Sequence, residues 1–260
     1  MSKFFSIITV TLNAENDLKE TIDSLKKQEF KDFEYIIIDG KSSDNTDKLI
    51  KINNHIIDKY LIEKDHGIYD AMNKGLNLAT GKYIGFLNAG DRYTPDGLKI
   101  INEYLNSNDV DFIFGTVKKK ILKYGFRKKR IFYNFDFYTS HSSGFFIKKK
   151  SHDLIGNYNT KYKISADYDL FYKMIVKKKM KGISTKKNEL IGLFKSGSSY
   201  SSKFNFLEHL YEETQIRIDN NQNKFIVFLI FNIHFFKNLK KIKTKKKVSS
   251  FINGIKIIFC

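Results

Sequence analysis

Three apolar, strand-like runs in the first ninety residues each lead into an aspartate: EYIIIDG reaches Asp39, YLIEKD reaches Asp65 and YIGFLNAGD reaches Asp91. In an open α/β sheet, ligands bind in the crevice beyond the carboxyl ends of the strands. Three carboxylates delivered to one such edge suggest a site for a divalent cation and a polar, phosphate-bearing ligand. Other routes to phosphate are missing. No G-x-G-x-x-G follows a strand, and the near P-loop from Gly75 to Lys82 has five residues between its glycines and Tyr83 where Ser or Thr is needed. Neither H-E-x-x-H nor paired C-x-x-C occurs. Phosphate would have to be met by a cation, backbone N–H groups and lysines, which raises the weight of the aspartates.

The surrounding pattern predicts how these residues are positioned. A strand over residues 4–11 precedes a helix with Leu18, Ile22 and Leu25 on its inner face. EYIIID is followed by SSDNTDKLIKI, with Ser, Asp and Asn at a helix start and Asp47 in its first turn. YLIEKD precedes a helix marked by Ile68, Met72, Leu76 and Ala79. After YIGFLN, Thr94 and Pro95 read as the cap and first turn of a helix through Leu105. Such alternation predicts a mostly parallel sheet flanked by helices. DFIFGTV adds a strand, residues 118–150 break into short aromatic runs, and residues 165–177 and 208–218 read as helices. We expect one α/β domain over residues 1–220 and a basic, apolar extension over 221–260.

Composition narrows the classes. The 260 residues carry a net charge of +18, concentrated at residues 118–130 and in the tail, which has no acidic residue after Asn223. Nucleic acid and an anionic membrane surface both suit that charge. The basic clusters match no nucleic-acid-binding module, and acidic strand ends would repel phosphates without a cation, so no specific nucleic-acid partner is expected. The single cysteine, Cys260, permits no intramolecular disulfide. The apolar N-terminus is short and β-branched and reads as a buried strand, so the expected location is cytoplasmic. In the tail, FIVFLIFNIHFF is too short to span a bilayer. Beside KNLKKIKTKKK it suits interfacial attachment; packing as a terminal helix on the domain suits it equally.

Read in order, TVTLNAENDL, IIIDGKSSDNT, the block from Glu63 to Asp91, HSSGFF and SADYDLFYKM resemble the family 2 glycosyltransferases of bacterial polysaccharide synthesis, over roughly residues 4–195. DHGIYDAMNKG is similar to the subgroup that makes surface polysaccharides or lipooligosaccharides. The resemblance implies a GT-A-type fold, a nucleotide-sugar donor (a UDP-sugar first), inversion, a divalent cation (Mn2+ or Mg2+), and a hydroxyl of a glycan or lipid-linked acceptor. It implies a hexosyl- or N-acetylhexosaminyl-transferase.

It also implies roles. Asn13 begins the nucleotide edge. Asp39 matches the carboxylate that accepts from uracil or ribose, Asp65 lies beside base or ribose, and Asn73 and Lys74 reach ribose or diphosphate. Asp70 is equally well read as a helix-start aspartate. LNAGD matches the metal-binding D-x-D with Asn88 and Gly90 in place of carboxylates, leaving Asp91 as the metal ligand. That departure raises an alternative, a nucleotide- or glycan-binding protein of this fold without catalysis. SADYDL matches E-D-x-D-L, with Ala166 replacing Glu and Asp167 at the catalytic base; Asp167 could equally cap its helix with Ser165. His141 opens a segment on the acceptor side, where a structural role among aromatics is also open.

Overall fold

The computed structural model describes residues 3–131, 139–195 and 206–239. The expected alternation is present. β1 (Phe5–Thr11), α1 (Glu15–Lys26), β2 (Phe33–Asp39), α2 (Thr46–Ile52), β3 (Lys59–Ile62), α3 (Ile68–Leu78) and β4 (Tyr83–Phe86) follow one another. Next come β5 (Arg92–Tyr93), α4 (Gly97–Ser107), β6 (Phe112–Phe114), β7 (Thr116–Lys118), β8 (Leu122–Lys123), β9 (Phe145–Lys148) and α5 (Lys149–Asp153). α6 (Ala166–Tyr172) runs into a π-helical turn at Lys173–Lys177, and β10 (Gly182–Ser184), β11 (Leu190–Leu193), α7 (Phe206–Asp219) and α8 (Lys224–Lys237) complete the fold.

Seven strands form the main sheet in the order β10-β6-β9-β4-β1-β2-β3. Only β9 runs antiparallel to its neighbours there. A smaller sheet, β5-β11-β7-β8, stands beside it. The central strands are apolar on both sides because both faces are covered. Alternate residues of β1 serve opposite layers. Ile8 and Val10 join Met72 and Leu76 of α3 and Phe171 of α6, while Phe5 and Ile7 join Leu18, Ile22 and Leu25 of α1 and Leu98 and Ile101 of α4. α3 lies so close to β1 that a Cβ on Gly75 would stand 2.5 Å from Ile8 Cγ2.

Several boundaries differ from the sequence reading. β3 stops at Ile62, three residues short of Asp65, because its partner β2 ends at Asp39 and the ladder closes with Glu63 N donating to Asp39 O. β4 stops at Phe86, and 88–91 form a turn with Asp91 N donating to Asn88 O. The helix after Thr94 begins at Gly97. The Thr94 hydroxyl donates to Leu190 O, and Gln28 Oε1 accepts from Leu98 N instead. DFIFGTV is two strands in two sheets, parted at Gly115, whose N–H donates to Gly144 O. Within 118–150 the short runs include β8, which pairs antiparallel with β7, and β9, whose place in the main sheet the sequence reading did not foresee; residues 132–138 lie outside the described set, as does Cys260.

Candidate active site

The carboxyl ends of β1 and β4, the N-terminal parts of α3 and α6, and segment 140–142 surround a cleft of about 380 Å³. Asp65, Asn88, Asp91, His141 and Asp167 all line it.

The NAGD turn is the most telling wall. Asp91 is 3% exposed; its Oδ1 accepts from Lys195 N at 2.9 Å, and its Oδ2 has no hydrogen-bond partner among the described residues. Burial pushes this carboxyl up to about 6, against the Ser142 hydroxyl and the Lys195 amide, which favour the charged form. Asn88 Oδ1 is likewise buried and unpartnered among the described residues, while Asn88 N donates to Ser142 Oγ at 2.9 Å. Two buried oxygens without donors fit a hard cation, which prefers oxygen ligands and is often held by one or two carboxylates with substrate phosphates and water. Among the described residues no group of three or more His, Cys, Asp and Glu side chains could hold a metal. A cation here would therefore take most of its ligands from the donor and from solvent.

Asp167 stands at the start of α6, half-buried. Its Oδ1 accepts from Tyr168 N at 2.9 Å and from the Tyr69 hydroxyl at 3.1 Å. Ser165 makes no side-chain cap, so Asp167 fills the start of the helix and faces the cleft together. Asp169 turns away to Asn220 and Lys173.

The wall that the resemblance assigns to the nucleoside is arranged more indirectly than the sequence suggested. Asp65 lines the cleft, with Oδ1 accepting from Gly67 N at 2.9 Å. A Cβ on Gly40 would stand 2.4 Å from Asp65 Oδ2, so the glycine after Asp39 makes room for this carboxylate. Asp39 is fully buried and does not line the cleft; its two oxygens accept from the Ser42 N–H and hydroxyl. Asn13, in a left-handed conformation with φ 50°, accepts from Ser43 N at 2.7 Å while its own N donates to Ser42 Oγ. Both residues shape the 42–43 loop beside the cleft.

Asn73 and Lys74 do not reach it. The Asn73 amide pairs with the backbone of Tyr158 through two 2.9 Å hydrogen bonds, and Lys74 Nζ donates to Lys64 O and pairs with Glu63 at 2.7 Å. Their place on α3 turns them toward neighbouring elements. Asp70 accepts from His66 N, a helix-start role.

His141 stacks on Phe86 at 5.0 Å and shares a 2.5 Å hydrogen bond with Tyr158 Oη. Burial lowers its pKa to about 4 although the nearby Asp167 charge works the other way, so the ring is neutral at pH 7.

Sequence reasoning missed several wall residues. Lys195 follows β11 and pairs through Nζ with Asp17 at 2.8 Å and Glu20 at 3.2 Å. Lys119, 4.0 Å above the Phe194 ring, lay unassigned within the basic cluster. Glu212 of α7 was also missed. Its carboxylate accepts from the backbone N–H groups of Lys163, Ile164 and Ser165 at 2.6–2.7 Å, gripping the loop that delivers Asp167. No local pattern marks it, since the contact spans 47 to 49 residues.

The family model described as Glycosyl transferase family 2 matches residues 6–171. The chain belongs to glycosyl transferase family 2. That match contains the whole cleft edge from β1 through Asp167 and leaves Lys195, Glu212 and α8 outside it. The chain is 32% identical over 174 residues to a PGL/p-HBAD biosynthesis glycosyltransferase of Mycobacterium bovis, a stretch covering 64% of this chain and 67% of that protein. Over 111 residues it is 31% identical to the UDP-Glc:alpha-D-GlcNAc-diphosphoundecaprenol beta-1,3-glucosyltransferase WfgD of Escherichia coli, covering 42% and 44%. Among solved structures, S. aureus TarS 1-349 in complex with UDP-GlcNAc superposes with a TM-score of 0.75 at 16% identity, covering 98% of this chain and 79% of that one. The mannosyltransferase PcManGT from Pyrobaculum calidifontis, in complex with GDP-Man and Mn2+, gives 0.63 at 12% identity, covering 100% and 81%. At these identities the likeness establishes the fold, the GT-A-type α/β architecture expected of this family 2 member.

Proposed function

We propose that the chain transfers a hexosyl or N-acetylhexosaminyl group from a nucleotide sugar, a UDP-sugar first, to a hydroxyl of a glycan or lipid-linked acceptor, with inversion, in bacterial surface polysaccharide or lipooligosaccharide synthesis on the cytoplasmic side of an anionic membrane. Residues 1–220 are the catalytic domain in this reading and 221–260 an appended basic segment. The observation that carries it is one cleft lined by both the unpartnered oxygens of Asn88 and Asp91 and the carboxylate of Asp167. A relative named for UDP-Glc and a neighbour bound to UDP-GlcNAc support the donor class.

In the reaction, Asp167 accepts the acceptor proton as the hydroxyl oxygen attacks the anomeric carbon. The new C–O bond forms opposite the bond to the diphosphate, and that bond breaks with its electron pair leaving on the nucleoside diphosphate. Asp91, with Asn88 beside it, would hold Mn2+ or Mg2+, which supplies charge neutralisation at the leaving oxygens. Lys119 stands on the same cleft wall as Lys195, whose ammonium is paired with Asp17 and Glu20. Asp65 meets the nucleoside directly, Asp39 and Asn13 shape the loop next to it, and neutral His141 lines the acceptor side.

The test is turnover of a panel of nucleotide sugars by purified protein with Mn2+ or Mg2+, against Asp167→Asn. Transfer by the parent and its loss in the variant supports the reading; unchanged turnover in the variant removes Asp167 as the base. The replacement of two expected carboxylates by Asn88 and Gly90 favours a second reading, a binding protein of this fold. A thermal shift with a nucleotide sugar and no transfer to any acceptor would select it.

A further inference from the structure

α8 is apolar around most of its circumference, interrupted by Asn232 and His234, and among the described residues much of one side stays exposed. Asn223 caps the helix, its Oδ1 accepting from Phe225 N and Ile226 N. Val227, Ile230 and Phe231 are buried, and α8 packs on α7. Phe225 (69% exposed), Leu229 (45%), Ile233 (63%) and Phe236 (63%) recur every four, four and three residues and fall on the opposite face. A helix that is hydrophobic all round needs a second covering. Fourteen residues at 1.5 Å rise make about 21 Å, too short to cross the roughly 30 Å core of a bilayer. No described helix is long and apolar enough to cross a membrane.

We propose that this face docks on an anionic lipid surface, with α8 lying in the interface plane. Charge complementarity selects that occupant. Lys224 and Lys237 bracket the apolar stripe, and residues 224–260 hold nine lysines and no Asp or Glu. An apolar stripe together with a polybasic run supplies the two signals that interfacial attachment needs, burial of side chains and attraction to acidic headgroups. A second copy of the chain would bring like-charged tails together. The placement also suits the cleft: α8 packs on α7, and α7 carries Glu212, which holds the loop before Asp167. The docking face thus stands one helix away from the element that presents the acceptor-side carboxylate. The inference needs only the α8 geometry and charge, so its failure would remove the membrane location from the proposed function and leave the glycosyl-transfer chemistry intact.

The full chain has no tryptophan, so Ile233→Trp installs a single reporter on the exposed face. Added vesicles of phosphatidylcholine with phosphatidylserine should shift its emission to the blue and carry the protein down on centrifugation. Phosphatidylcholine alone should do neither, and high salt should weaken binding. A triple variant, Leu229→Gln, Ile233→Gln and Phe236→Gln, should lose roughly tenfold or more in vesicle partitioning while keeping the parent's melting temperature, since these side chains are exposed. An unshifted reporter on anionic vesicles overturns the proposal. So does a reporter already buried without lipid in a dimer seen by light scattering, which would assign the face to a second copy.

Discussion

A carboxylate buried with one oxygen unpartnered holds its proton more tightly than it does in the unfolded chain. Asp91, raised from 3.8 to about 6, is in that state. Its folded pKa lies above the unfolded one, so its contribution to stability is fully present below pH 3.8 and is lost as pH rises through 6. At pH 7.5 the ionised group therefore costs the cation-free fold about 3 kcal/mol. Asp91→Asn is expected to raise the melting temperature at pH 7.5 without added cation, to make no difference near pH 3.5, and to abolish the thermal shift that Mn2+ gives with a nucleotide sugar. Melting curves across pH check all three, and coincident curves at pH 7.5 would show that burial does not strain this carboxylate. Asp167→Asn should lower kcat by about 10²–10⁴-fold, the range for a lost general base, with donor KM little changed. Steady-state kinetics would measure it.

At the scale of elements, the site depends on how loops and helices are tied. Glu212 accepts three backbone N–H groups just before α6, a task for a carboxylate because each oxygen accepts more than one bond. Glu212→Gln exchanges one acceptor oxygen for a donor and frees the loop. The expected result is a kcat reduced by roughly tenfold or more with donor KM unchanged, since a small misplacement of the base costs rate rather than donor binding. A parallel loss in donor affinity would point to a general folding defect. At the opposite end of the sheet, Glu34 ties β2 to β1, β3 and the 80–81 turn through Ser6, Lys59, Thr80 and Gly81. Burial raises its pKa, but the Lys59, Ser6 and Thr80 hydrogen bonds outweigh burial and hold it at about 2. With the folded value below the unfolded one, this contribution is present above pH 4.5 and is lost as pH falls through 2. Glu34→Gln should cost on the order of 2 kcal/mol at pH 7 by denaturant titration, with the difference narrowing below pH 4.

For the whole molecule, α7 and α8 turn a family 2 core into a chain with a second face. Val227, Ile230 and Phe231 are buried and α8 packs on α7, so deleting everything after Asn223 strips cover from the helix that carries Glu212. Losing three buried apolar side chains is expected to cost about 5 kcal/mol, read as a lower denaturant midpoint. The triple exposed-face variant should keep the parent's midpoint, which separates the packing role of α8 from its docking role. The charge of +18 predicts weak binding to random duplex that fades between about 50 and 200 mM salt, the mark of counterion release without sequence readout.

The strand–helix order, the inner faces of α1 and α3, and the delivery of aspartates to one sheet edge could be read from the chain alone. These depend on local periodicity and on the rule that parallel strands end together. Asp65, Asn88, Asp91, His141 and Asp167 were legible because each sits in a motif next to a strand or helix end, and all five line the cleft. Side-chain direction was not legible. Asn73 and Lys74 sit on the right helix but turn to Tyr158 and Glu63, and Asp39 spends both oxygens on Ser42. Nor were Lys195 and Glu212, whose partners lie 104 and about 48 residues away in the chain. Sequence spacing specifies which residues share a face. Only the packed structure decides which oxygens keep their hydrogen bonds and which, like Asp91 Oδ2, are buried without a partner among the described residues.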